Sequence, residues 1–136
     1  MKKHQYQTRV RYAETDQMGV VYHGNYAVFF EMGRVEWLRN IGISYKWMEE
    51  NGIMLPVVSL TMNYKKPARY DDILTVTTLF KNQHSVKIEF DYEIHNEKGE
   101  LLTTGHSILV FVNTKTGRPT TPPDYLVEKL EKIKSE

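Results

Sequence analysis

Residues 25–50 read NYAVFFEMGRVEWLRNIGISYKWMEE, and this stretch decides the fold. It holds no proline, and its apolar residues recur at helical spacing. Tyr26, Phe30, Gly33, Trp37 and Ile41 form one stripe at spacings of four, three, four and four. Val28, Met32 and Val35 form a second stripe, and Ala27 and Leu38 fill a flank. A helix that is apolar on most sides is a buried helix. Gly33 costs about 1 kcal/mol relative to alanine inside a helix, which predicts close approach of another backbone there. Gly42 predicts a break and restart, and Asn51-Gly52 a stop.

The flanking sequence reads as strands. Tyr6, Thr8, Val10 and Tyr12 alternate with Gln5, Gln7, Arg9 and Arg11, the pattern of a half-buried strand. After the helix, Val58, Leu60, Met62 and Tyr64 alternate with Ser59, Thr61 and Asn63. Residues 67–72 read as a turn, and residues 73–80 are rich in β-branched side chains. Val86, Ile88, Phe90, Tyr92 and Ile94 alternate without fault against Lys87, Glu89, Asp91 and Glu93. Asn96-Glu97-Lys98-Gly99 is a hairpin turn, and residues 101–112 form the last strand. Pro122-Pro123 precedes a short charged helix over 124–134. One strand, one long helix and four consecutive strands predict an α+β domain, residues 1–136, whose antiparallel sheet wraps the helix. A five-stranded sheet leaves edges, and pairing with a second copy covers one, so at least a dimer is expected.

Composition removes whole classes of chemistry. Eighteen basic against seventeen acidic side chains give a net charge of +1, which offers no bulk attraction to nucleic acid. The 136 residues contain no cysteine, so disulfides, thiolate metal sites and cysteine nucleophiles are excluded. The five histidines show no paired ligand spacing, and no metal or cofactor is expected. Gly105-His106-Ser107 lacks the second glycine of a nucleophile elbow and reads as strand. No apolar stretch follows the N-terminal lysines and none is long enough to span a bilayer, so a cytoplasmic protein without an integral membrane segment is expected.

Residues 11–26, RYAETDQMGVVYHGNY, are the segment able to carry chemistry. Asp16 falls in a turn between a strand and the start of the buried helix. Seven residues later comes His23-Gly24-Asn25, where that helix should begin. A helix N-terminus presents unpaired N–H groups and partial positive charge, which suits an oxygen that becomes negative during reaction. Gly24 would let a substrate approach the backbone. A carboxylate and an oxyanion site suffice for a thioester, whose sulfur donates poorly to the carbonyl and leaves as thiolate. The same residues also fit plainer roles, Glu14 and Asp16 as turn formers and His23 or Asn25 as helix caps.

The segment resembles the signature of the 4-hydroxybenzoyl-CoA thioesterase family of hotdog-fold proteins. The matching residues are Arg9-Val10, Thr15-Asp16, Gly19-Val20-Val21 and Tyr26. Tyr22-His23, Asn25-Tyr26, Phe29-Phe30-Glu31 and Arg34, with the later run 64–72, resemble the Tol–Pal-associated acyl-CoA thioesterases. Gly24 departs from the family, which usually carries a small side chain or proline there. The resemblance implies a hotdog fold, with a five-stranded antiparallel sheet around one long central helix. It implies an acyl-CoA thioesterase assembled as a dimer or tetramer. Asp16 would be the nucleophile or general base, and the His23 N–H would polarise the thioester carbonyl. Tyr22, Gly24, Asn25 and Tyr26 would shape the acyl side, and Ser59 would line the pantetheine arm. Lys65, Lys66 and Arg69, or His84, Ser85 and Lys87, would meet the coenzyme A phosphates. Glu31 is the second candidate carboxylate, with a plainer reading as a helix charge paired to Arg34. A thioesterase acting on acyl carrier protein and a non-catalytic acyl-CoA sensor are the alternatives.

Overall fold

The helix forms as its sequence dictates, and the sheet is built around it. The computed structural model describes residues 2–136. Helix α1 spans Asn25–Asn40 and buries Tyr26, Phe29, Phe30, Gly33, Trp37 and Leu38. The expected break follows: Gly42 takes a φ of +88°, and α2 restarts at Tyr45–Glu50. Ser44 caps α2, its Oγ accepting the Trp47 N–H at 3.1 Å. The long helix is thus two helices, of 16 and 6 residues.

Five strands form one antiparallel sheet: β1 (Lys3–Arg9), β3 (Val57–Tyr64), β4 (Ile73–His84), β5 (Lys87–His95) and β6 (Leu101–Val110). Their order is β1-β4-β5-β6-β3. Strand β5 buries Ile88, Phe90, Tyr92 and Ile94, as its alternation requires. Two short strands, β2 (Ile53–Met54) and β7 (Val112–Asn113), pair separately, so the last predicted strand is interrupted after Val110. Helix α3 (Asp124–Lys134) closes the chain and buries Leu126, Leu130 and Ile133. The rings of Trp47 and Tyr125 meet edge to face at 5.1 Å where α2 and α3 touch.

The sheet departs from a simple meander in one respect. Strand β3 pairs with β6, not with β4, because β1 already occupies the free edge of β4. The chain between Tyr64 and Ile73 must therefore cross from one side of the sheet to the other. It does so past the N-terminus of α1, bonding on the way: the Val21 N–H donates to the Ala68 carbonyl at 2.9 Å.

Helix and sheet meet at two glycines. A Cβ on Gly105 would lie 2.6 Å from Phe30 Cε2, so Phe30 sits in the notch that this glycine leaves. There the Phe30 ring stacks on Tyr92 at 4.6 Å. A Cβ on Gly33 would meet Val76 Cγ1 and Thr78 Oγ1 at 2.8 Å. The close approach predicted at Gly33 is real, but it is made by β4 side chains, not by backbone. Trp37 stacks on Phe80 at 5.7 Å and meets Phe90 edge to face at 5.0 Å, filling the middle of the core.

Three expectations of burial are corrected. Tyr12 leaves the β1 alternation, because residues 12–14 form a 3-10 turn that turns the ring outward. On β3 only Leu60 and Met62 are half-buried; Val58 is 58% exposed and Tyr64 is exposed, since this is an edge strand. Val28 is 42% exposed, and Met32 and Val35 are half-buried, because the sheet covers only one side of α1. The notch supplies a test of the packing. Gly105→Ala should lower unfolding stability by about 1–3 kcal/mol, read from the denaturant midpoint, because the stacked Phe30 ring has nowhere to move.

Candidate functional site

The turn that carries Asp16 is built by its own carboxylate. Asp16 Oδ1 accepts the Met18 N–H at 2.8 Å and the Val20 N–H at 3.4 Å, an Asx turn. The Asp16 N–H donates to the Val20 carbonyl at 2.9 Å, and the Gly19 N–H to the Asp16 carbonyl at 3.0 Å. Gly19 has a φ of +80°, a conformation that costs a side-chain-bearing residue about 1–2 kcal/mol. Oδ2 of the exposed Asp16 has no donor among the described residues. The carboxylate is therefore held by one oxygen and open at the other.

Glu14 anchors this turn to the helix. It is 7% exposed, and Oε1 accepts the Arg11 N–H at 2.7 Å while Oε2 pairs with Arg11 Nη2 at 3.1 Å. Its carbonyl accepts the Tyr22 N–H at 3.0 Å and Asn25 Nδ2 at 2.8 Å. The Asn25 side chain thus braces the start of α1 against the Asp16 turn. Gly24 is the N-cap and supplies no side-chain cap. The Asn25 N–H reaches the Tyr22 carbonyl, and the Tyr26 N–H reaches the His23 carbonyl. The N–H groups of His23 and Gly24 donate to no carbonyl among the described residues. Two unpaired donors at the positive end of a 16-residue helix favour an anion or a polarised carbonyl.

A cleft of about 200 Å³ opens beside them, lined by Val20, Val21, His23, Tyr26, Tyr64, Lys65, Lys66 and Pro67. The His23 ring lies 4.8 Å from that of Tyr64, and Tyr26 lies 5.3 Å from Tyr64. The floor is aromatic and the rim cationic. Asp16 does not line the cleft but is bonded to Val20, which does. Lys66 is engaged with Glu100 at 2.8 Å, a hydrogen bond that holds the Glu100 carboxyl below its ordinary range. The Lys65 ammonium and the Arg69 guanidinium form no ion pair among the described residues, although the Arg69 backbone N–H donates to Asp72 Oδ2 at 2.9 Å.

Asp16, Tyr22, His23, Gly24, Asn25 and Lys65 are brought together; the other candidates are not. Ser59 lies on the β3 edge and does not line the cleft. His84 and Ser85 form the β4–β5 turn, at the end of the sheet opposite the Asp16 turn. Gly24 is exposed, and the equally exposed Tyr22 ring stands beside it, since a Cβ there would lie 3.0 Å from Tyr22 Cε2. Glu31 does not pair with Arg34, whose Nη1 donates to the Tyr92 hydroxyl at 3.2 Å. Glu31 makes no hydrogen bond or ion pair among the described residues, and it does not line this cleft. Tyr64 was missed as a site residue. It ends an alternating strand, a pattern that reads as core, and only its place on an edge strand sets it against His23.

Comparison with known proteins follows from this geometry. The family profile described as the thioesterase-like superfamily matches residues 10–130. The protein YneP of Bacillus subtilis is 40% identical over 110 residues, 81% of this chain and 80% of its own length. An acyl-CoA thioester hydrolase of Escherichia coli, YbgC, is 31% identical over 123 residues, 90% of this chain and 92% of its own. The crystal structure of a DHNA-CoA thioesterase from Staphylococcus aureus superposes with a TM-score of 0.95 at 38% identity, over 99% of this chain and 93% of that one.

Tyr26 gives the site a pH signature. Burial raises its phenol above the ordinary 10.0, an effect that the Ala68 N–H, donating to the hydroxyl at 3.4 Å, only partly offsets. Folding therefore favours the neutral phenol. That contribution is whole below about pH 10 and is lost as pH rises through the folded value, because the unfolded chain releases its proton first. The melting midpoint should fall above pH 10. Tyr26→Phe should make that fall shallower, measured by thermal melts across an alkaline series.

Proposed function

We propose that this chain, which belongs to the thioesterase-like superfamily, hydrolyses acyl-coenzyme A thioesters to a carboxylic acid and free coenzyme A, with Asp16 as the reacting carboxylate. One observation carries the assignment of Asp16. A carboxylate held by one oxygen and open at the other is bonded through Val20 to a cleft that begins at two unpaired helix N–H groups. In this reading the thioester carbonyl oxygen takes the His23 N–H, with the Gly24 N–H beside it. Both donors are fixed before the oxygen becomes negative, so little reorganisation opposes the reaction. Asp16 Oδ2 then adds to the carbonyl carbon, giving an acyl anhydride that water cleaves, or takes a proton from a water that adds directly. In either case the carbon–sulfur bond breaks and coenzyme A leaves as a thiolate that is protonated. The His23 imidazole, packed on Tyr64, stands where it can orient that water.

Residues 1–136 act as one domain in this reading, in the cytoplasm, as a homo-oligomer. The exposed β3 edge, with Val57 and Val58, is the pairing surface. Two β3 edges joined antiparallel about a twofold axis set the Val57 end of one copy beside the Tyr64 end of the other. Val57 pairs with Leu109 and Lys87 with Val110, so the β4–β5 turn lies at the Val57 end. The pairing carries His84 and Ser85 of a second copy to the end of the sheet that holds the cleft. There they join Lys65 and Arg69 in meeting the coenzyme A phosphates, while Tyr22, Gly24 and Asn25 frame the acyl side and Ser59 approaches the pantetheine arm.

Asp16→Asn should reduce thiol release from acyl-CoA by about 100- to 10,000-fold with KM changed far less. The chain has no cysteine, so every thiol detected comes from substrate. Turnover that survives the substitution would move the chemistry to His23 or Glu31. No turnover by the wild type on a panel of short, long and aromatic acyl-CoAs would reject coenzyme A as the carrier.

A further inference from the structure

A second concave site lies between α2 and α3. Gly42, Ile43, Ser44, Trp47, Tyr125 and Lys129 line a groove of about 530 Å³, and none of them lines the cleft beside His23. The cleft adjoins the first turn of α1, and the groove begins just past the last. A helix of 16 residues is about 24 Å long, so the two sites are well apart. A space of this size, walled by apolar side chains with a few polar groups, suits a small molecule. Trp47, Tyr125 and the buried Ile43 supply the apolar wall. Trp47 is 49% exposed, so its indole is the part of that wall that a ligand can cover.

The polar groups select the ligand. Lys129 is the one charged residue of the lining, and no carboxylate shares it. Lys129 makes no side-chain hydrogen bond or ion pair among the described residues. Its ammonium lies over Gly42, where a Cβ would be 3.3 Å from Nζ. Ser44 Oγ accepts the Trp47 N–H at 3.1 Å, and its own proton goes to no acceptor among the described residues. The groove thus offers two donors, one of them cationic, beside an aromatic wall. A neutral apolar ligand would take water from the ammonium and return nothing. A phosphate dianion would leave one charge unmatched and the wall uncovered. A carboxylate on an apolar body satisfies both parts, its charge on the lysine and its body on the rings.

We propose that the α2–α3 groove binds a small organic acid. Its carboxylate accepts from Lys129 Nζ and the Ser44 hydroxyl, and its aliphatic or aromatic body lies on Trp47 and Tyr125. The acid released by thioester hydrolysis belongs to this class; that link rests on the proposed activity, and the binding does not.

Octanoate is the probe, and the indole N–H signals of the two tryptophans in a nitrogen-15 NMR spectrum are the readout. The Trp47 signal, identified by its loss in Trp47→Phe, should move saturably with octanoate while that of the enclosed Trp37 stays. Octanoate held in the cleft beside His23 would leave the Trp47 signal in place. Octanol, equally long but uncharged, should bind at least about tenfold more weakly, for want of a charge-assisted hydrogen bond. Lys129→Met keeps an unbranched apolar stem and should lose a similar factor, and Lys129→Arg should recover most of it. Circular dichroism shows that each variant is folded. The readout needs no turnover, so failure of this site and failure of hydrolysis are told apart. A Trp47 signal that octanoate does not move, octanol binding as tight as octanoate, or Lys129→Met binding as tight as wild type would overturn the proposal.

Discussion

The approach of α1 to the sheet is the constraint on which everything else hangs. Phe30 enters the notch at Gly105 and stacks on Tyr92, while Gly33 lies against Val76 and Thr78. These contacts fix the helix in height and in rotation. A helix is stiff over four turns, so its N-terminus is fixed with it. The unpaired N–H groups of His23 and Gly24 are thus placed by packing one to three turns further along, with no help from a side-chain cap. The Tyr92 hydroxyl adds to the same region, lying 2.6 Å from Ser107 Oγ and accepting from Arg34.

Around that fixed end, the site is assembled from three pieces of chain. The Asp16 turn is locally determined, since its carboxylate and Gly19 make it whatever follows. The Glu14 carbonyl ties the turn to Asn25 and so to the helix. The crossover 65–72 brings its lysines and Ala68 to the same place only because β3 and β4 lie on different sides of the sheet. The geometry of the candidate site follows from topology as much as from motif. A meander would have carried the cationic rim elsewhere.

Much of this was legible in the sequence. The faultless alternation of β5 and the apolar stripe from Tyr26 to Ile41 specify a sheet on a buried helix, and Gly42 marks the break. The Thr15-Asp16 turn and His23-Gly24 signal the site, because turn chemistry and helix starts are local. What was not legible is non-local. Periodicity identifies β3 as a strand but does not say that its neighbour is β6. Gly33 announces a close contact without saying whether backbone or side chain makes it. Nothing in the order of residues puts the Tyr22 ring over Gly24 or Tyr64 against His23. The second stripe of α1 reads as buried because spacing shows that apolar residues share a face but not whether the sheet reaches that face.

The two tryptophans divide the molecule between them. Trp37 is wholly enclosed, stacked on Phe80 and edge to face with Phe90, while Trp47 is half in water and touches only the outer layer where α2 meets Tyr125. Excitation of the protein therefore yields two emitters of different colour, a blue one in the centre and a redder one at the C-terminal helix. A dissolved quencher reaches the second and not the first. Lifting of α3 alone would dim or shift the red component and leave the blue, whereas loss of the core would change both. The fold carries its own optical distinction between a loosened end and a lost centre.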